Sequence, residues 1–194
     1  MFRLTFLLVG LIAQSYAEPD LPECELSRYI QPIVNLNADA YFKGTWYQTH
    51  IYANEITDEM QVCVSIKPTI TSSSSVSQFY TIMSPDVEEI YHGEGMLTPL
   101  SNRIGKYVVQ FRDVNNEGKP MAEEYLSYYE TIIDTDYENY SVVYNCGIKD
   151  SFVILNRRPN ELKVHQKVED VLKRLGRNLS DFIPINKNLD CPKN

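Results

Sequence analysis

Eight short runs with strand character, set at close and regular spacing, constrain this chain more than any other feature. They cover residues 44–52, 61–70, 76–83, 88–97, 105–113, 123–133, 140–147 and 151–157. Turn-forming pieces separate most of them: Thr71–Ser75, Ser84-Pro85-Asp86, Thr98–Asn102, Asn115–Pro120 and Asp134–Glu138. In the fifth run Tyr107, Val109 and Phe111 face one way and Lys106, Val108, Gln110 and Arg112 the other, the mark of a half-buried strand. Many short strands with turns between them predict a sandwich or a barrel. After Pro159 the period changes. Leu162, His165, Val168, Val171, Leu172 and Leu175 recur every three or four residues, and Gly176 follows as a stop. That pattern predicts one amphipathic helix of three to four turns, packed on the outside. The expected fold is all-β: an eight-stranded antiparallel up-and-down barrel with one C-terminal α-helix, roomy enough for one small ligand. Residues 18–40, with Pro19, Pro22 and Pro32, read as irregular.

The start of the chain sets the compartment. Arg3 precedes an apolar run from Leu4 to Ala13, and Ser15-Tyr16-Ala17 supplies small residues at the positions a signal peptidase reads. Residues 1–17 are therefore expected to be a secretory signal peptide, cleaved after Ala17, with 18–194 as a single domain. The run is too short to span a bilayer, and no other segment is apolar enough. Export implies that Cys24, Cys63, Cys146 and Cys191 form two disulfides, with three pairings open. None lies close enough to another to suggest a zinc pair. Two glycosylation sequons begin at Asn139 and Asn178. A net charge of −8, from 18 basic and 26 acidic residues, repels phosphate backbones and anionic membranes, so neither is expected as a partner.

Catalysis finds no support. His50, His92 and His165 are scattered without a partner at ligand spacing, and Gly-x-Ser-x-Gly, His-Glu-x-x-His and phosphate-loop patterns are missing from the sequence. No enzyme activity, metal or cofactor is expected. His165 is assigned to the seam between helix and barrel.

At the first strand the sequence reads Tyr41-Phe42-Lys43-Gly44-Thr45-Trp46-Tyr47-Gln48-Thr49-His50. Gly-x-Trp-Tyr resembles the lipocalin signature, with Gly44 turning the chain and Trp46 plugging the closed end of the barrel. With Gly93-Glu94-Gly95, Leu155-Asn156-Arg157 and Leu189-Asp190-Cys191, the chain resembles the salivary lipocalins of triatomine blood-feeding bugs, the group of nitrophorins and amine-binding proteins. The resemblance implies the pairings Cys24–Cys146 and Cys63–Cys191. It also implies a secreted salivary carrier, and a monomer is expected. Nitrophorins hold haem iron through a histidine on the third strand; counting back from Gly93, that position here is Tyr80, so haem is not expected.

Strand parity gives the expected lining. With Trp46 inward, Gln48, His50 and Tyr52 follow. Cys63 outward puts Val62, Val64 and Ile66 inside, and Cys146 outward puts Val143 and Asn145 inside. On the sixth run Tyr125, Ser127, Tyr129, Thr131 and Ile133 share the assigned inner face, and Val153 and Leu155 line the eighth. The fourth run is open: either Glu89 and Tyr91 or Ile90 and His92 face in, and counting from Gly93 favours the first pair. Loops at the open end carry Glu55, Asp58, Glu59, Asp86, Glu88, Glu117 and Asp150 against Lys119 and Lys149. Such a mouth attracts an organic cation, and aromatic walls add cation–π attraction. Glu55, Asp58, Tyr80, Glu89, Tyr91, Tyr107, Tyr129 and Asn145 are the candidate ligand-binding residues. The expected function is sequestration of a biogenic amine, opposing vasoconstriction and platelet activation. An eicosanoid carboxylate, the second choice, would want an inward base, but Lys67, Lys106 and Arg112 read as outward. A protein-binding inhibitor of coagulation is the third.

Overall fold

A computed structural model describes residue 26 and residues 29–53, 61–72, 75–84, 89–100, 104–121, 123–147, 150–187 and 189–193. The expected signal segment (residues 1–17), Cys24, Glu55, Asp58 and the side chains of Glu89 and Tyr91 lie outside the described residues.

Eight strands form one antiparallel sheet: β1 (Trp46–Ala53), β2 (Cys63–Ser72), β3 (Ser75–Ser84), β4 (Glu89–Pro99), β5 (Lys106–Val114), β6 (Leu126–Thr135), β7 (Tyr140–Cys146) and β8 (Asp150–Asn156). Each pairs with the next, and β1 pairs with both β2 and β8, so the sheet closes on itself. Closure leaves no open edge in the barrel wall. A short helix α1 (Ala38–Tyr41) lies in the segment expected to be irregular, capped by the Asn37 side chain accepting from the Ala40 amide at 3.2 Å.

One end of the barrel is closed. Gly44 takes φ +74° to turn the chain into β1. Trp46 is 1% exposed and donates its indole N–H to the Tyr41 carbonyl at 2.9 Å. The Arg157 guanidinium lies over the indole, 3.4 Å from its centroid, and donates to the carbonyls of Thr45, Ala40, Tyr41 and Tyr137. The segment before α1 adds to this floor, with the Ile33 amide donating to the Ile132 carbonyl at 2.8 Å.

The second helix, α2 (Gln166–Arg174), is shorter than the periodicity predicts. His165 is its N-cap, with Nδ1 accepting from the Lys167 amide, so Leu162 stays outside the helix. Val168, Val171 and Leu172 are buried in the seam with Tyr140, Val142, Tyr144, Phe152 and Ile154 on the outer faces of β7 and β8. His165 was assigned to this seam but is exposed, stacking on Tyr140 at 5.2 Å at its rim. The chain then adds β9 (Ile183–Pro184) beside β1 and ends on a Cys63–Cys191 disulfide. Cys146 is also disulfide-bonded.

Candidate ligand site inside the barrel

A bulge in β1 and the register of β6 against β7 decide which side chains enter the barrel. The first is in β1. Gln48 pairs with Leu155 and His50 with Ile154, which leaves Thr49 as a bulge between them. One extra residue reverses the alternation beyond it. Trp46 and Gln48 face in as expected, but His50 and Tyr52 do not; Ile51 takes the inward place and packs with the interior cluster. Tyr52 lies outside against Phe182 and Arg177.

The second concerns β6. Tyr129 pairs with Cys146, and cross-strand partners share a face, so Tyr129 is outside. Lys106 sits over its ring, 5.4 Å from the centroid. Tyr128, Glu130 and Ile132 are the inward set, opposite to the predicted parity. Val64, Ile66, Val143, Val153 and Leu155 join the interior as predicted. On β4, His92 stacks on Phe79 outside the barrel, and Gly93, Gly95 and Leu97 are buried on the inward parity that Glu89 and Tyr91 share in the backbone register.

Glu130 is the residue the sequence reading missed. It is 7% exposed and has Tyr107 on β5 and Asn145 on β7 as its cross-strand neighbours. From the opposite wall, the Gln78 amide hydrogen-bonds its carboxyl. The Tyr80 hydroxyl donates to Gln78 Oε1 and shares a hydrogen bond with Tyr128. Burial pushes the Glu130 carboxyl up to about 7, only partly offset by the Gln78 hydrogen bond. Burial, with Glu130 nearby, also pushes Tyr107 up to about 12 and raises Tyr41, Tyr80 and Tyr128 above the ordinary phenol range. Asn145 Oδ1 is buried and has no hydrogen-bond partner.

The interior is graded in depth. Toward the closed end Trp46, Ile66, Leu97, Val109, Ile132 and Val143 are buried. Toward the other end the inward residues Gln48, Val64, Ile82, Phe111, Tyr128 and Asn145 are all partly exposed. The Glu130 layer therefore lies where a packed floor gives way to an accessible upper chamber. Glycine sets the wall there: a Cβ at Gly93 would lie 2.2 Å from the Phe111 ring, and one at Gly95 3.1 Å from Tyr80.

Of the acidic mouth, only part is described. Glu117 pairs with Lys119 at 2.7 Å, and Asp150 accepts from the Tyr144 hydroxyl at 2.7 Å on the outer face. Neither carboxylate points to a ligand. Tyr107 is buried near the floor, edge-on to Phe42. Tyr80, at the position the resemblance gives to a haem ligand, is enclosed by Gln78, Tyr128 and Phe111, and burial keeps its phenol protonated. All three histidines lie outside the barrel: His50 bonds to Thr49, His92 stacks on Phe79 and His165 on Tyr140. These residues do not fit a haem. Among the described residues no group of three or more His, Cys, Asp or Glu side chains could hold a metal, and no helix is long and apolar enough to cross a membrane.

The family model described as nitrophorin matches residues 24–194. Pallidipin of Meccus pallidipennis is 26% identical, over 93% of this chain and 92% of its own length. Two solved structures share the fold. The tryptamine complex of the amine binding protein of Rhodnius prolixus gives a TM-score of 0.73 at 20% identity, covering 85% of this chain and 89% of that one. A leukotriene C4 complex gives 0.57 at 21%, covering 82% and 91%.

Proposed function

The chain belongs to the nitrophorin family of triatomine salivary lipocalins, and from that premise we propose that it is a secreted carrier that sequesters a small organic cation, a biogenic amine, in its barrel. The observation that carries this reading is the charge of the inner wall. Among the described inward side chains of the strands there is a buried carboxyl, Glu130, and no lysine or arginine. The strand bases are spent outside: Arg112 pairs with Glu94 at 2.9 Å, Lys106 covers Tyr129, and Lys67 lines an outer groove. A buried site without a base disfavours a carboxylate ligand, whereas a carboxyl among aromatic rings suits an ammonium on an aromatic skeleton. The fold likeness to a tryptamine-binding protein supports the same class, and the weaker one to a leukotriene C4 complex keeps the eicosanoid as the rival.

Sequestration of serotonin, noradrenaline or histamine at one site per chain would oppose vasoconstriction and platelet activation without turnover. A thermal-shift screen of the mature protein against amines, leukotriene C4 and ADP tests this. An amine at one hundred times its dissociation constant should stabilise the fold by about 2.7 kcal/mol. Stabilisation by leukotriene C4 with none by any amine refutes the reading.

A further inference from the structure

The β5–β6–β7 wall holds two polar groups that folding alone leaves poorly served. Glu130 is buried with a single amide donor, Gln78, on its carboxyl. Its cross-strand neighbour Asn145 carries a buried carbonyl oxygen with no donor at all. A buried acceptor without a donor is costly, so the unpartnered Asn145 oxygen beside a buried carboxyl marks a place where a donor from outside is expected. The two lie at the boundary between floor and chamber, reachable from the side where Asn145, Tyr128 and Phe111 are partly exposed.

We propose that this pair is the cation seat of the protein: a ligand ammonium sits between the Glu130 carboxylate and Asn145 Oδ1, and displaces any proton that Glu130 carries in the empty barrel. The inference rests on the amine reading and names the group within that site. An ammonium has three donors and no acceptor, which matches two acceptors side by side better than any neutral donor. The exchange balances. Where Glu130 is protonated, its carboxylic O–H breaks, the proton leaves to solvent and the ammonium replaces it, so the layer stays neutral; where Glu130 is already ionised, the ammonium neutralises it with no proton released.

Other groups around the seat do not compete in this titration. Those facing Glu130 are Tyr41 from α1, Gln78 and Tyr80 from β3, Tyr107 from β5, Tyr128 from its own strand and Asn145 from β7. The four phenols are all pushed above their ordinary range, so none changes charge between pH 6 and 8. With the Glu130 carboxyl near 7, binding should release roughly nine-tenths of a proton at pH 6 and one-tenth at pH 8. Affinity should weaken roughly tenfold from pH 8 to pH 6.

The experiment is calorimetry of the mature protein with tryptamine, whose amine stays charged over this range, in buffers of different ionisation enthalpy at pH 6, 7 and 8. The proposal expects proton release that falls with pH in the parent. It expects binding weakened at least tenfold, with proton release and pH dependence gone, in Glu130→Gln, and weakened binding with proton release retained in Asn145→Leu. If the parent binds tryptamine with no proton release and Glu130→Gln binds equally well, the seat is elsewhere while the amine reading stands. If the parent binds no amine, the reading fails and the seat fails with it.

Discussion

The Glu130→Gln variant tests the buried carboxyl before any ligand is added. In the unfolded chain this group titrates near its ordinary 4.5, and in the folded chain near 7. Below about pH 4.5 it is protonated in both states and has no effect on stability. Between about 4.5 and 7 the unfolded chain gives up this proton and the folded chain keeps it, so stability falls as pH rises. Above about 7 both states are ionised and the loss is complete. A shift from 4.5 to about 7, at about 1.4 kcal/mol per unit, makes that loss about 3 kcal/mol. Glutamine has the same shape, can still pair with the Gln78 amide, and carries no proton to lose. It should match the parent near pH 4 and exceed it by up to about 3 kcal/mol at pH 8. For a domain of this size that is a melting-temperature gain of roughly 6–12 °C. The readout is the difference between the two proteins' melting temperatures across pH 4–8, in which the other acids cancel. A difference that does not vary with pH, or that favours the parent at pH 8, refutes the raised carboxyl.

Three further outcomes follow from packing. Gly93→Ala would put a methyl into the Phe111 ring and should destabilise by about 1–3 kcal/mol, with Phe111→Leu in the same chain recovering most of it in a denaturant double-mutant cycle. Replacing Cys63 and Cys191 together by serine opens a loop spanning 128 residues and should cost about 2–4 kcal/mol, with faster hydrogen exchange at Ile183 and Ile185 where the tail pairs with the barrel. Arg157→Ala strips the guanidinium from Trp46 and from four carbonyls, and should cost about 3 kcal/mol in urea unfolding and shift the emission of this lone tryptophan.

The strands were legible because their signals are local. Alternation in β5 and turn residues between the runs put every strand within about three residues of its place. Inward and outward faces were firmest where a cysteine anchor lay on the same strand: Cys63 for β2, Cys146 for β7. The bulge at Thr49 is a matter of register between β1 and β8, and nothing near Thr49 in the sequence announces it. Residues 123–133 carry tyrosines on both parities, Tyr125 and Tyr129 on one and Tyr128 on the other, so apolar alternation could not choose between them. Cys146 could have, had β6 been paired with β7 residue by residue. Read that way, Tyr129 opposite an outward cysteine falls outside and Glu130 falls inside.

An inward charge is what a pattern reader discards, since a strand that buries glutamate breaks the rule used to orient it. The tyrosines show why the rule fails here for a reason beyond folding. Those on the outer face have their own partners: Tyr140 donates to Asp134, Tyr144 to Asp150, and the Tyr52 hydroxyl accepts from Arg177, each at 2.7 Å. Inside, Tyr41, Tyr80, Tyr107 and Tyr128 surround one carboxyl that an isosteric amide would replace at a gain in stability. A carboxyl that burial disfavours in its ionised form, beside an asparagine oxygen with no donor, is not explained by the fold that holds it. A cation bound between them would supply the missing donor to Asn145 and turn that destabilising charge into a counter-ion, and under the proposed amine function this would make Glu130, more than the acidic loops, the group on which selection would act.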